Sequence, residues 1–166
     1  VKGIIQAKKN LEGISEVTPL KLNQILSDET GAKVFLKRED LQAVRSYKIR
    51  GAYNFISQLS VAEKKQGVVC SSAGNHAQGF AYSCNLLKIK GIVFMPTPTP
   101  KQKVEAVRRV GKNYIEIVLS GDTYDDAKSA ALKYVHSHNK IFVPPFDHKL
   151  IIEGQGTVGI EILEQI

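Results

Sequence analysis

Short apolar runs rich in β-branched residues recur between segments of helical period, and this alternation limits the fold of the chain more than any other feature. Lys33–Lys37, Gly67–Cys70, Gly91–Met95, Tyr114–Leu119 and Ile141–Val143 read as strands, several too continuously apolar to be wet on one face. Between them Ala52, Phe55, Ile56 and Leu59 repeat at helical spacing, as do Ala77, Phe80, Ala81 and Cys84, then Ala127, Ala130, Ala131, Tyr134 and Val135. Each stretch predicts an amphipathic helix with one buried stripe. Ser120-Gly121-Asp122 reads as a helix start, Gly111 as the stop of a helix from Gln102 to Val110, and Pro96–Pro100 as a stiff β-to-α connection. Strand and helix alternate, which predicts an α/β fold with a parallel sheet covered on both faces.

Composition then excludes several function classes. No apolar run approaches the ~20 residues of a membrane-spanning helix, and Val1-Lys2-Gly3 leads into no secretory apolar region. The net charge of +7 is spread in ones and twos from Lys2 to Lys149 without interleaved aromatics, so it reads as solvated helix faces and not as a nucleic-acid surface. Cys70 and Cys84 lie in apolar settings without CxxC spacing and read as buried free thiols, which places the chain in a reducing compartment, the cytoplasm. An apolar-periodic segment (Val158, Ile160, Ile162, Leu163, Ile166) runs to the last residue uncapped, and the first residue is not methionine. The expectation is an N-terminal portion of a larger protein.

Two segments carry chemistry. Lys48 lies in Arg45-Ser46-Tyr47-Lys48-Ile49-Arg50-Gly51, where two flanking arginines and a helix start press an amine toward its neutral, nucleophilic form. Tyr47 beside it offers a face for a flat cofactor ring. Ser71-Ser72-Ala73-Gly74-Asn75-His76 follows one helix and one strand later and presents backbone N–H groups at a helix start, where a carboxylate binds. The pair suggests a Schiff-base enzyme.

Other motifs have plainer readings. Gly154-Gln155-Gly156-Thr157-Val158-Gly159 is a literal GxGxxG, but only the short run Leu150-Ile151-Ile152 precedes it, so close helix packing explains its glycines better than a dinucleotide. His136 and His138 lack the i, i+4 spacing and partners of a zinc site and read as an exposed helix end. Ser71 and Ser72 stand in no G-x-S-x-G elbow, which argues against a serine hydrolase built with His76.

At this point the residues carry a family resemblance. Lys37-Arg38-Glu39-Asp40-Leu41-Gln42 and Val44–Ala52 resemble the pyridoxal-phosphate attachment region of the serine/threonine dehydratases, and Ser72–Gly79 resembles their asparagine loop. Met95-Pro96, Pro144-Pro145-Phe146-Asp147-His148 and Gly154-Gln155-Gly156-Thr157 resemble later landmarks in the same order, and the likeness is strongest to the threonine branch.

The resemblance implies a fold of the tryptophan synthase β-like type (fold-type II), with residues 1–66 and 145–166 in a large domain and 67–144 as a small α/β domain. It further implies pyridoxal 5'-phosphate held by Lys48, which also removes the substrate α-proton, with Asn75 on the phenolic oxygen and Tyr47 by the ring, where an aromatic, usually Phe, stands. Ser72, Ala73, Gly74, Asn75 and His76 would receive the substrate carboxylate, and Pro145 and Phe146 would line the side-chain pocket. The implied reaction is dehydration and deamination of threonine to 2-oxobutanoate and ammonia, in isoleucine synthesis, by a homo-oligomer; the residues themselves offer no metal site. Ala73 stands where serine racemases carry a serine acid, which favours elimination over racemisation. The phosphate loop and the partner of the pyridine nitrogen would lie beyond Ile166, so this chain alone is expected to bind the cofactor weakly and turn over little substrate. Serine dehydratase, serine racemase, threonine synthase and cysteine synthase are alternatives within the class, and a non-catalytic anion-binding α/β module is one outside it.

Overall fold

A computed structural model describes residues 1–166. The chain runs α1 (Lys2–Asn10), β1 (Leu20–Leu22), α2 (Gln24–Thr30), β2 (Phe35–Lys37), a short 3-10 turn (Glu39–Leu41), α3 (Lys48–Ser57), α4 (Val61–Gln66), β3 (Val68–Ser71), α5 (Asn75–Leu87) and β4 (Gly91–Met95). It continues through α6 (Lys101–Gly111), β5 (Ile115–Leu119), α7 (Tyr124–Ser137), β6 (Ile141–Phe142), α8 (Lys149–Gln155) and α9 (Thr157–Gln165).

Four strands form the expected parallel sheet in the order β5-β4-β3-β6. Its runs are continuously apolar because each face has its own core. Val68, Cys70, Val93 and Met95 point into a layer with Phe80, Ala81, Cys84, Val104 and Val107 of α5 and α6. The alternate residues Val69 and Phe94 meet Ala131 of α7 on the other face. Period-two alternation thus survives, hidden by burial on both sides.

Strand order also locates a crevice. From β3 the chain winds to β4 and β5 on one side, then returns under the sheet by α7 to β6 on the other side of β3. The connections leaving β3 and β6 therefore part at their carboxyl ends, a topological switch point where open α/β sheets take ligands. The asparagine turn follows β3, and Pro144-Pro145-Phe146 follows β6.

Some sequence expectations need correction. The run at Lys33–Lys37 contributes β2, which pairs antiparallel with β1 and stands outside the parallel sheet. Three residues of β1 are too few to show a period. Helix α7 starts after Thr123, whose side chain and that of Asp126 form a reciprocal capping box, while Gly121 (φ 69°) supplies the left-handed turn before it. Leu150-Ile151-Ile152 lies in α8, capped by His148, and is no strand. Of the GxGxxG glycines, Gly154 serves packing, since a Cβ there would fall 2.4 Å from the Arg50 carbonyl oxygen, and Gly156 lies 3.0 Å from Ile4 by the same measure, whereas Gly159 has open space.

One buried cation ties the N-terminal and C-terminal segments to α3. Arg50 is 1% exposed, and its guanidinium donates to both Glu39 oxygens at 2.8 Å and to Glu161 at 2.5 and 3.0 Å, with Thr157 and the Glu16 carbonyl taking further N–H groups. Lys37 completes the charge balance on Glu161 at 2.6 Å. Burial works against each charge, and the mutual hydrogen bonds of Arg50 with Glu39 and Glu161 overcome it, holding Arg50 above and Glu39 below their ordinary pKa. Removing one member leaves the others buried without compensation. Arg50→Met is therefore expected to cost about 3–5 kcal/mol in urea or thermal unfolding, whereas a loss under about 1 kcal/mol would mean the pair is solvated.

Candidate functional site

Lys48 opens α3 and is partly buried, with its Nζ donating to the Pro145 carbonyl at 2.7 Å and lying 3.4 Å from Gln155 Oε1. The same nitrogen stands 5.3 Å from the centre of the Tyr47 ring. Its pKa is lowered, and the cause is burial. The expected pressure from two arginines is not the reason. Arg50 is committed to Glu39 and Glu161, and Arg45 is exposed in a left-handed turn (φ 56°). No carboxylate pairs with Lys48, so burial acts unopposed by an ion pair.

A missing side chain sets the distance between the lysine and the asparagine turn. Helix α5 begins at Asn75, and one turn along it Gly79 lies so close to α3 that a Cβ there would fall 2.9 Å from the Lys48 carbonyl carbon and 2.9 Å from the Ile49 nitrogen. Both neighbours are backbone and cannot swing aside. The site thus depends on a glycine that local sequence patterns did not single out for a role.

The turn itself divides into used and free groups. Ser72 Oγ accepts from the Gly74 N–H at 3.2 Å, so that donor is occupied within the loop. Helix α5 has no side-chain cap, and the N–H groups of Asn75, His76 and Ala77 have no backbone acceptor. They form a cluster of donors at the positive end of a 13-residue helix. Gly74 has open space where a Cβ would stand, and Asn75 is exposed.

His76 offers the site only its backbone. Its ring is 4% exposed and its Nε2 pairs with the Val143 carbonyl at 3.0 Å, which fastens the turn after β3 to the segment after β6. Burial lowers its pKa to about 4, against the help of the Val143 carbonyl and with a further push from Lys48. Pro145 contributes its carbonyl, while the Phe146 side chain is 65% exposed. Gln155 and Val143 were not anticipated as participants, because each reaches the site through tertiary contact alone.

Two buried hydroxyls, Ser46 and Ser71, lack any hydrogen-bond partner, and they sit directly before Tyr47-Lys48 and before the Ser72 loop. Unmet polar capacity in both segments, an amine with lowered pKa, a neighbouring aromatic face and a set of free N–H donors suit an aldehyde cofactor of aromatic, anionic character. The protein is a parallel-sheet α/β protein with an amine at its switch-point crevice. The model of the pyridoxal-phosphate dependent enzyme family matches residues 12–166, and the chain belongs to that family.

Curated relatives agree in kind. The chain is 51% identical over 166 residues to the biosynthetic L-threonine dehydratase of Halalkalibacterium halodurans, covering all of this chain and 40% of that protein. It is 52% identical over 163 residues to the same-named enzyme of Mycobacterium bovis, with 98% and 38% covered. Among solved structures, the processed threonine deaminase isoform 2 of Solanum lycopersicum superposes with a TM-score of 0.90 at 40% identity, over 99% of this chain and 46% of that one. Maize serine racemase superposes at 0.93 with 30% identity, over 100% and 50%. The chain thus spans about 40% of the length of the curated relatives it matches.

Two outcomes check this geometry. Gly79→Ala is expected to cost about 1–3 kcal/mol by forcing α5 off α3, measured by denaturant unfolding, and to leave secondary structure content unchanged by circular dichroism. His76 gives a pH test. Folded His76 stays neutral down to about pH 4 while an unfolded histidine protonates near 6.5, so its contribution is complete above pH 6.5 and lost as pH falls toward 4. The loss amounts to about 3 kcal/mol, and His76→Gln is expected to flatten that part of the stability curve between pH 6.5 and 4.

Proposed function

We propose that this chain supplies the lysine side of a pyridoxal-phosphate site in an enzyme that eliminates water from L-threonine and, as the released enamine takes water back, yields 2-oxobutanoate and ammonia, a step toward isoleucine. The observation that carries the reading is the Lys48 amine, depressed by burial and packed through Gly79 against the helix start at Asn75. The cofactor, when bound, withdraws electrons from the substrate Cα and so acidifies its C–H bond.

The chain's own residues then have separate tasks. Lys48 would hold the cofactor through Nζ and, when free of it, would take the substrate α-proton at that atom. Tyr47 would pack by the cofactor ring, and Asn75 would bond its phenolic oxygen. The loop Ser72–His76 receives the substrate carboxylate, with Asn75, His76 and Ala77 offering unspent N–H groups. Pro145 and Phe146 line the side-chain pocket, and Ala73 offers no second acid to return a proton from the opposite face. In this reading residues 67–144 form a small domain, 1–66 and 145–166 belong to a large one, and the whole protein works as a cytoplasmic homo-oligomer. Threonine is named as the substrate because the relatives called L-threonine dehydratase share 48–52% identity with the chain.

No helix is long and apolar enough to cross a membrane. The test is chemical trapping. Incubation with pyridoxal phosphate followed by borohydride and peptide mapping is expected to place a pyridoxyl group on Lys48, to fail in Lys48→Ala, and to drop about tenfold in Asn75→Ala. Labelling spread over exposed lysines, unchanged by Lys48→Ala, would overturn the assignment.

A further inference from the structure

We infer that Gln155 is a positioning residue for Lys48: with the Pro145 carbonyl it forms a two-acceptor clasp that turns the lone pair of the amine toward the open crevice. The inference rests on Lys48 being the cofactor lysine. A neutral amine has two N–H bonds and one lone pair. Pro145 O at 2.7 Å and Gln155 Oε1 at 3.4 Å accept those two bonds, so the lone pair must point away from both.

The clasp is built and does not arise from a chance rotamer. Gln155 donates from Nε2 to the same Pro145 carbonyl at 3.3 Å, which fixes the amide with its oxygen facing the lysine. Space for that side chain exists because residue 51 is glycine: a Cβ there would lie 2.9 Å from Gln155 Nε2 and 3.0 Å from its Cγ. Gly154, pressed on the Arg50 carbonyl, holds the end of α8 where Gln155 can reach. Besides these acceptors, Lys48 faces the Tyr47 ring of its own segment, lies within electrostatic reach of His76 on α5, and pairs with no carboxylate. The amide is therefore a neutral acceptor that orients the amine without clamping it as an ammonium ion, as a carboxylate would.

Two aldehydes separate orientation from availability. Formaldehyde with cyanoborohydride reaches an amine from any direction, so its pH-dependent labelling of Lys48, read by mass spectrometry, reports the neutral fraction. Pyridoxal phosphate with borohydride reports attack from the crevice. Gln155→Glu is expected to move the formaldehyde labelling profile upward by about one pH unit, with about tenfold less label at pH 7. Gln155→Leu is expected to keep formaldehyde labelling within about twofold while slowing pyridoxal phosphate addition about tenfold, and Gly51→Ala, which displaces an unaltered Gln155, to do the same. A side chain that only supports the fold would lower the melting temperature and leave both labelling rates alone. Unchanged profiles in Gln155→Glu, or equal pyridoxal phosphate rates in wild type, Gln155→Leu and Gly51→Ala, would overturn the inference. Absence of any pyridoxyl adduct in wild type would instead strike the functional reading, and the Gln155→Glu profile would still decide the clasp.

Discussion

The buried guanidinium of Arg50 is the constraint on which the rest depends. Two residues before it is Lys48, and four before that is Val44, so whatever fixes Arg50 fixes the start of α3. Its partners come from the turn at Glu39, from Glu161 and Thr157 on α9, and from the Glu16 carbonyl, so one cation gathers segments more than a hundred residues apart. Buried ion pairs give little net stability over well-packed apolar groups, yet they tolerate few alternative arrangements. Here the arrangement they select leaves Lys48 directed away from the network, toward the crevice.

A second constraint meets the first from the opposite side. Gly79 and Gly51 remove two side chains that would hold α5 and Gln155 away from α3. Gly79 brings the free N–H groups of the α5 start to the lysine, and Gly51 admits the amide that faces it. His76 then links the turn after β3 to Val143 after β6, so one hydrogen bond joins both lips of the switch-point crevice. Burial of Lys48 lowers its pKa without an adjacent cation, which couples the reactivity of the amine to the packing of three helices.

Much of this was legible in the sequence, and the reasons are physical. The parallel sheet announced itself because both faces are covered, which makes strands such as Val68–Ser71 and Gly91–Met95 continuously apolar. Lys48 and the Asn75 turn stood out by local chemistry, and the ordered landmarks from Lys37 to Thr157 pointed to the family. What stayed hidden was tertiary. Arg50 looked like a neighbour acting on Lys48 and is instead consumed by distant glutamates; β1 is too short to carry a period; Gln155 sat inside glycines whose packing role masked it. His76 looked like a group for the carboxylate, and the burial of its ring against Val143, which leaves only its N–H free, was not legible. A linear pattern records the face a residue belongs to, and it does not record which distant group that face will meet.

The central claim is that the fold holds Lys48 and the helix start at Asn75 on one wall of a crevice suited to pyridoxal phosphate. A crystal structure of the chain after addition of pyridoxal phosphate and borohydride tests it most directly. The expected result is a pyridoxyl group joined to Lys48 Nζ, its ring beside Tyr47 and its phenolic oxygen within hydrogen-bond distance of the Asn75 side chain. A group joined to another lysine, or one on Lys48 with its ring turned away from Asn75 into solvent, would contradict it.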